Sequence, residues 1–283
     1  MGTFAPAWVW AYDDVAIMED VMRLRIMVGA VLLAALPVSA QSTPGQVVTN
    51  VLSPQLTTMM NVLLEPVVKG KPYTATRVIT TVQKLQDGTT MSNKGQRILM
   101  RDIEGRIRQQ QWLVMAKGND PGVKMVYVKN PVTNTLTMWS EGAKVKNEAI
   151  QMKLPDTTST AKAKDAAAAT NRKSGTVEEL GQQSIGGFLV TGERITHVIP
   201  AGSIGNDQPL TRTNEIWTAA DLQLVVREIY TDPRTGVRIS ELNDLSRENP
   251  PITVFQPPTG YTIKTNEQAM KEMQDKMAAA QSQ

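Results

Sequence analysis

The sequence contains no cysteine, which excludes disulfides, thiolate nucleophiles and cysteine-based zinc or iron–sulfur sites. Stability must come from packing. There is a single histidine, His197, and a protein metal site normally takes three or four ligands. No metal and no cofactor is therefore expected. Phosphate loops are missing too: the glycine cluster at 181–187, "GQQSIGG", has neither the Walker lysine nor the dinucleotide spacing. Aromatics are scarce, and beyond residue 40 the only tryptophans are Trp112, Trp139 and Trp217. Charge of one sign is not in strong excess either. Residues 41–283 carry 28 Lys and Arg against 23 Asp and Glu, interspersed. Nucleic acid is excluded as a partner, because phosphate binding needs a clustered basic face with aromatics on which bases stack.

What is present begins with an export signal. Met22-Arg-Leu-Arg25 is a basic start, Ile26 to Leu36 is an uncharged apolar run, and Val38-Ser39-Ala40 is a small-residue cleavage site. The run is shorter than the ~20 residues that a membrane-spanning helix needs, so residues 22–40 read as a cleaved signal peptide that leaves no stable membrane anchor. The protein is expected to be exported, to the periplasm or beyond. Residues 1–21 lie upstream of a signal that is complete from Met22, and they read as an untranslated extension.

The mature chain divides in two by period. From Val51 to Val68, Leu56, Met59, Met60, Leu63 and Leu64 fall at helical spacing. Ser53 stands as N-cap, Pro54 follows at the first helical position, and Pro66 and Gly70 end the element. From Tyr73 the period changes to two, with β-branched residues alternating through Gln83. Asp87-Gly88, Asp102-Ile-Glu-Gly105, Asn130-Pro-Val-Thr-Asn134 and Asp232-Pro-Arg-Thr-Gly236 mark tight turns between further short strands. Tight turns join antiparallel strands, since parallel pairs need long crossovers. The expected fold is mainly β (α+β): a single curved antiparallel sheet, an open half-barrel, over 41–265, with an N-terminal amphipathic helix. Residues 156–175, rich in Ala, Lys and Thr, read as a flexible insertion, and residues 266–283 as a frayed helical or disordered tail.

The segments "RDIEGRIRQ" at 101–109, "IPAGSIGNDQPL" at 199–210, "EIWTAADLQLVV" at 215–226, "TDPRTG" at 231–236 and "VFQPPTGYTI" at 254–263 together resemble a family of uncharacterised exported bacterial proteins. The order of helix and then meander resembles the LolA/LolB and RseB-like half-barrels. That resemblance implies a concave face that holds lipid acyl chains or an extended partner.

Catalysis finds little support. Ala201-Gly-Ser-Ile-Gly205 has the look of a nucleophile elbow, but an elbow needs a strand before the serine, a helix after it, and the order Ser, acid, His. His197 precedes Ser203, and a β-patterned run follows, so the segment reads as a turn between strands. His197 reads as a half-buried strand residue. Asp102/Glu104 and Glu178/Glu179 sit in or beside turns, where carboxylates cap and solvate. Glu215 shares a strand face with Trp217, and its aliphatic stem is expected to pack on the indole. No catalytic residue is assigned.

Eleven methionines follow residue 40. Their flexible thioethers suit either gap-filling in a core or a surface that repacks around apolar ligands. The leading expectation is a non-catalytic protein that binds an apolar ligand, a lipid or lipoprotein acyl chain, through Leu56, Met59, Leu63 and Trp217. An envelope sensor or scaffold that binds another protein is the alternative, and a hydrolase the third. Exported protein is expected to begin at Gln41. N-terminal sequencing of secreted material checks this, and finding Met1 or Met22 there would overturn it.

Overall fold

The computed structural model describes residues 59, 62–63, 65–114, 122–142, 145–154, 172 and 174–281. The expected signal peptide, the upstream extension, Leu56 and nearly all of the 156–175 insertion lie outside these residues. The chain forms two compact units: one spans Val62–Ile263, and the other comprises Met1–Asn61 and Lys264–Gln283.

The larger unit is built on one antiparallel sheet. Its first meander comprises β1 (Tyr73–Lys84), β2 (Thr90–Arg101), β3 (Ile107–Val114), β4 (Val123–Asn130), β5 (Thr135–Glu141) and β6 (Glu148–Lys153). A second comprises β7 (Thr176–Ile185), β8 (Phe188–Ile199), β9 (Leu210–Ala219), β10 (Leu224–Asp232) and β11 (Gly236–Ser246). A short β12 (Thr262–Thr265) joins the edge at β6. The twelve strands run in the order β12-β6-β5-β4-β3-β2-β1-β11-β10-β9-β8-β7. The expected single open antiparallel sheet is therefore present, and β1 paired with β11 is the seam that makes one sheet of two meanders.

The turns form for the reasons their residues suggest. At Asp87-Gly88 the carboxylate accepts the Thr89 amide at 2.9 Å and Gly88 takes a φ of 86°. Asp102, almost fully buried, accepts the amides of Glu104 at 3.0 Å and Arg106 at 2.8 Å, and pairs with the Arg106 guanidinium at 2.6 Å. It organises its turn, as an Asx residue does. Gly236 is needed at the seam itself: its φ is 90°, and a Cβ there would lie 2.2 Å from the Val82 carbonyl oxygen.

Three strands were not anticipated. The first strand after the insertion is β7, Thr176–Ile185, which turns through Gly186 and Gly187, both at positive φ. The strands β6 and β12 also went unread. For the C-terminal segment, expected as a helical or disordered tail, Asn266–Gln281 is a helix. The Gln268 amide donates to Thr265 Oγ1 at 3.3 Å while Gln268 Oε1 accepts the Thr265 amide at 2.8 Å, a reciprocal capping box.

Among the described residues of the larger unit are two apolar clusters. One gathers Tyr73, Ala75, Leu99, Phe188, Val190, Trp217, Ala219, Leu222, Leu224, Val226 and Leu242, and the other Val126, Val128, Trp139, Ala149 and Phe255. Of the expected N-terminal helix, Met59, Val62 and Leu63 are helical and buried, and helical structure has ended by Glu65. The buried Lys129 ammonium, on β4, donates to the carbonyls of Leu63 at 2.8 Å and Glu65 at 2.6 Å. Lys129→Met strips two carbonyls of this donor, and an unsatisfied buried acceptor costs about 1–3 kcal/mol. Denaturant unfolding of this variant is expected to show a loss of about 2–4 kcal/mol.

Candidate functional site

The β8–β9 connection settles into a turn held by Asn206. Its side-chain amide donates to the Pro200 and Gln208 carbonyls, both at 2.8 Å, and its Oδ1 accepts the Ile204 amide at 3.1 Å. Gly202 and Gly205 carry the positive φ angles, and Ser203 is exposed between them. A strand follows at Leu210 where an elbow would need a helix.

His197 lies on β8 opposite Arg212. It is 9% exposed, more buried than expected. Its Nε2 is buried without a hydrogen-bond partner, while the ring bonds the Ser174 backbone. Ser203 is therefore not its partner. Burial, and then the nearby Arg212 charge, hold the imidazole below its ordinary pKa.

Trp217 lies in the larger apolar cluster, 7% exposed. It pairs across the strands with Gly192, where a Cβ would come within 2.4 Å of the indole ring, so the ring occupies the space that glycine leaves. The Trp217 indole N–H donates to Glu215 at 2.7 Å, which corrects the expected packing of the Glu215 stem. Arg194 then bridges Glu215 at 3.0 Å and Glu178 at 2.9 Å. Burial pushes the Glu215 carboxyl up, but the indole N–H and the Arg194 guanidinium together outweigh it and leave the group below its usual value. Glu178, expected with Glu179 in or beside a turn, lies instead within β7 and is an ion-pair partner of Arg194.

The first meander repeats the arrangement. The Trp139 indole N–H donates to Glu141 at 2.9 Å, and Arg108 approaches the same carboxylate at 3.3 Å. In both places tryptophan and glutamate are two residues apart on one strand, which puts them on one face. That spacing was the available signal, and it was read only at Glu215.

Of the residues expected to bind an apolar ligand, the structure thus buries Met59 and Leu63 and places Trp217 in the core. The carbonyl of Leu63 is bound by Lys129 on β4. Sequence reasoning missed Lys129 and also Arg101, which is 1% exposed. Arg101 donates to the Lys71 carbonyl at 2.8 Å and the Leu222 carbonyl at 2.5 Å, and lies 4.8 Å from the centre of the Tyr73 ring. A cation inside a strand carries no sequence signal that separates it from a solvated one. Among the described residues no group of three His, Asp or Glu side chains is placed to hold a metal ion, and no helix is long and apolar enough to cross a membrane.

No protein family model and no curated protein matches the chain. Solved structures do. The chain is similar to the complex of Pseudomonas aeruginosa MucA and MucB at 10% identity and a TM-score of 0.38, over 74% of this chain and 62% of that one. It is similar to LprF from Mycobacterium bovis at 14% identity and a TM-score of 0.31, over 73% and 98%. A LolA superfamily protein from Nitrosomonas europaea matches at 12% identity and a TM-score of 0.23, over 71% and 96%. The chain spans about three fifths of the length of the MucB chains it matches.

The lowered pKa of His197 makes stability depend on pH with a definite sign. A histidine that binds its proton less readily when folded than when unfolded (ordinarily about 6.5) favours the unfolded state as pH falls. Stability is therefore expected to decline from pH 7.5 downward through that ordinary value and to level off below the folded pKa. His197→Gln should flatten this decline, as denaturant midpoints measured across pH 5–8 would show.

Proposed function

We propose that this protein is an exported, non-catalytic binding protein whose sheet holds an apolar ligand with an acidic head, a fatty acid or lipid acyl chain. The Lys129 contact carries this reading. The segment from Val62 to Val68 lays Val62, Leu63 and Val68 into buried positions, and a buried ammonium on β4 holds its carbonyls. An apolar chain that displaced these side chains would recover their burial, and a carboxylate head would take the place of the two carbonyls at Lys129. A fatty acid brings both. The segment is held by docking, since it is helical only at Val62 and Leu63 among its described residues and so short a turn has no stability of its own in water, so it is able to yield to a competitor.

The second reading is a scaffold that binds another protein at the sheet edge. It is favoured by β7, a ten-residue edge strand exposed along most of its length. The irregularity between Glu179 and Gly181, with Gly181 at a φ of 75°, interrupts the ladder there. Such a bulge is a device that protects edges from pairing, and for that reason the ligand reading leads.

A fluorescent fatty-acid probe is expected to bind delipidated protein with a Kd on the order of 1 μM, about −8 kcal/mol. Met59→Asp and Leu63→Asp should change that affinity by about tenfold or more, about 1.4 kcal/mol, while Ser203→Ala leaves it unaltered. If neither fluorescence nor calorimetry detects acyl binding to the folded protein, the scaffold reading takes its place.

A further inference from the structure

On the face of the sheet shared by β1, β2 and β3, two arginines stand directly opposite each other: Arg77 on β1 pairs in register with Arg97 on β2. Like charges placed so are destabilising unless something lies between them. A third guanidinium, Arg238 on β11, lies on the same face, because Arg238 is opposite Thr81 and Leu242 opposite Arg77. Arg77 and Arg238 both weigh electrostatically on Arg97, after burial, in holding its pKa below the usual arginine value.

The carboxylates nearby are committed elsewhere. Glu228 gives one oxygen to Arg238 at 3.2 Å and the other to the Asn214 amide, also at 3.2 Å. Glu241 is opposite Val78, whose side chain points to the other face, and it binds Arg227 at 2.9 Å. Three cations thus share one carboxylate.

Two buried donors on this face have no hydrogen-bond partner among the described residues. Arg77 reaches the Val225 carbonyl through Nη2 at 3.3 Å, but its Nε is buried with no hydrogen-bond partner. Gln109 on β3, opposite Leu99 and so on the face of Arg97, is 7% exposed, and its Nε2 has no partner. Unpaired donors and unpaired positive charge on one face call for the same thing, an acceptor that carries negative charge. The flat fork of a guanidinium matches phosphate and carboxylate in particular.

We propose that Arg77, Arg97 and Gln109 form a binding site for an oxyanion, the phosphate or carboxylate group of a small ion or of a lipid head. This goes beyond the apolar-ligand reading, and inorganic phosphate, which has no acyl chain, tests it separately. The full chain at low salt is melted with and without phosphate, with chloride at matched ionic strength as the reference. For a site with a Kd of order 1 mM, about 10 mM phosphate shifts the folding equilibrium about tenfold towards the native state. The shift should vanish in Arg97→Gln, which should itself melt no lower than the parent because it relieves the repulsion. It should persist in Arg194→Gln, whose guanidinium is already paired. Hexadecyl phosphate that binds at least tenfold tighter than phosphate assigns the site to a lipid head, and comparable binding assigns it to a small anion. The proposal is overturned if phosphate stabilises no more than chloride, if Arg97→Gln keeps the response, or if Arg194→Gln loses it as well.

Discussion

Everything in the larger unit depends on one pairing, that of β1 with β11. Each meander on its own is a chain of local hairpins, and an antiparallel ladder gains stability mainly where its side chains also find burial. The seam supplies that burial. Tyr73, Ala75 and Leu99 from the first meander meet Leu242, Val226 and Trp217 from the second in one apolar cluster. The close approach at Gly236 shows how little room the join allows. A side chain there would meet the backbone of β1, so the register of the seam is set by backbone contact as well as by apolar pattern.

Around this join the protein buries cations and satisfies them with carbonyl oxygens. Arg101 sits at the end of β2 and bonds the backbone ahead of β1 and the turn between β9 and β10. Lys129 does the same for the segment that follows the N-terminal helix. A cation in the interior is tolerated only where its donors are matched, and carbonyls from distant loops do that while fixing where those loops lie. Beside them, burial pushes the Tyr73 hydroxyl up to about 12, which keeps the ring neutral under the Arg101 guanidinium. Arg77 departs from this rule, since its buried Nε has no hydrogen-bond partner among the described residues.

Strands with one wet face and one dry face announced themselves in the sequence through alternation, and the turns between them through Asp-Gly and Asn-containing loops. Others were illegible for a physical reason. As an edge strand, β7 is exposed almost throughout, so "TVEELGQQSI" never alternates. With six and four residues, β6 and β12 are too short for a period to show. The tail, expected as helical or disordered, is fixed as a helix by its cap at Thr265 and Gln268. In the candidate site, Glu215 and Trp217 were visible because two residues on one strand share a face. Lys129 and Leu63 lie 66 residues apart in sequence, and Arg77 and Arg97 meet only once the register of β1 against β2 is known. Long-range register is what a single sequence does not display.

The two tryptophan–glutamate pairs give the molecule an optical property as well as a structural one. Trp217 belongs to the cluster that bridges the seam and Trp139 to the cluster around β4, β5 and Phe255. Each indole N–H ends on a carboxylate two residues away on its own strand. Intrinsic fluorescence therefore has a separate reporter for each cluster, and the light from one need not change when the other melts. With Trp112 replaced as well, exchanging either ring for phenylalanine leaves the emission of the other as a local record of whether the seam and the first meander come apart as one cooperative body or in succession.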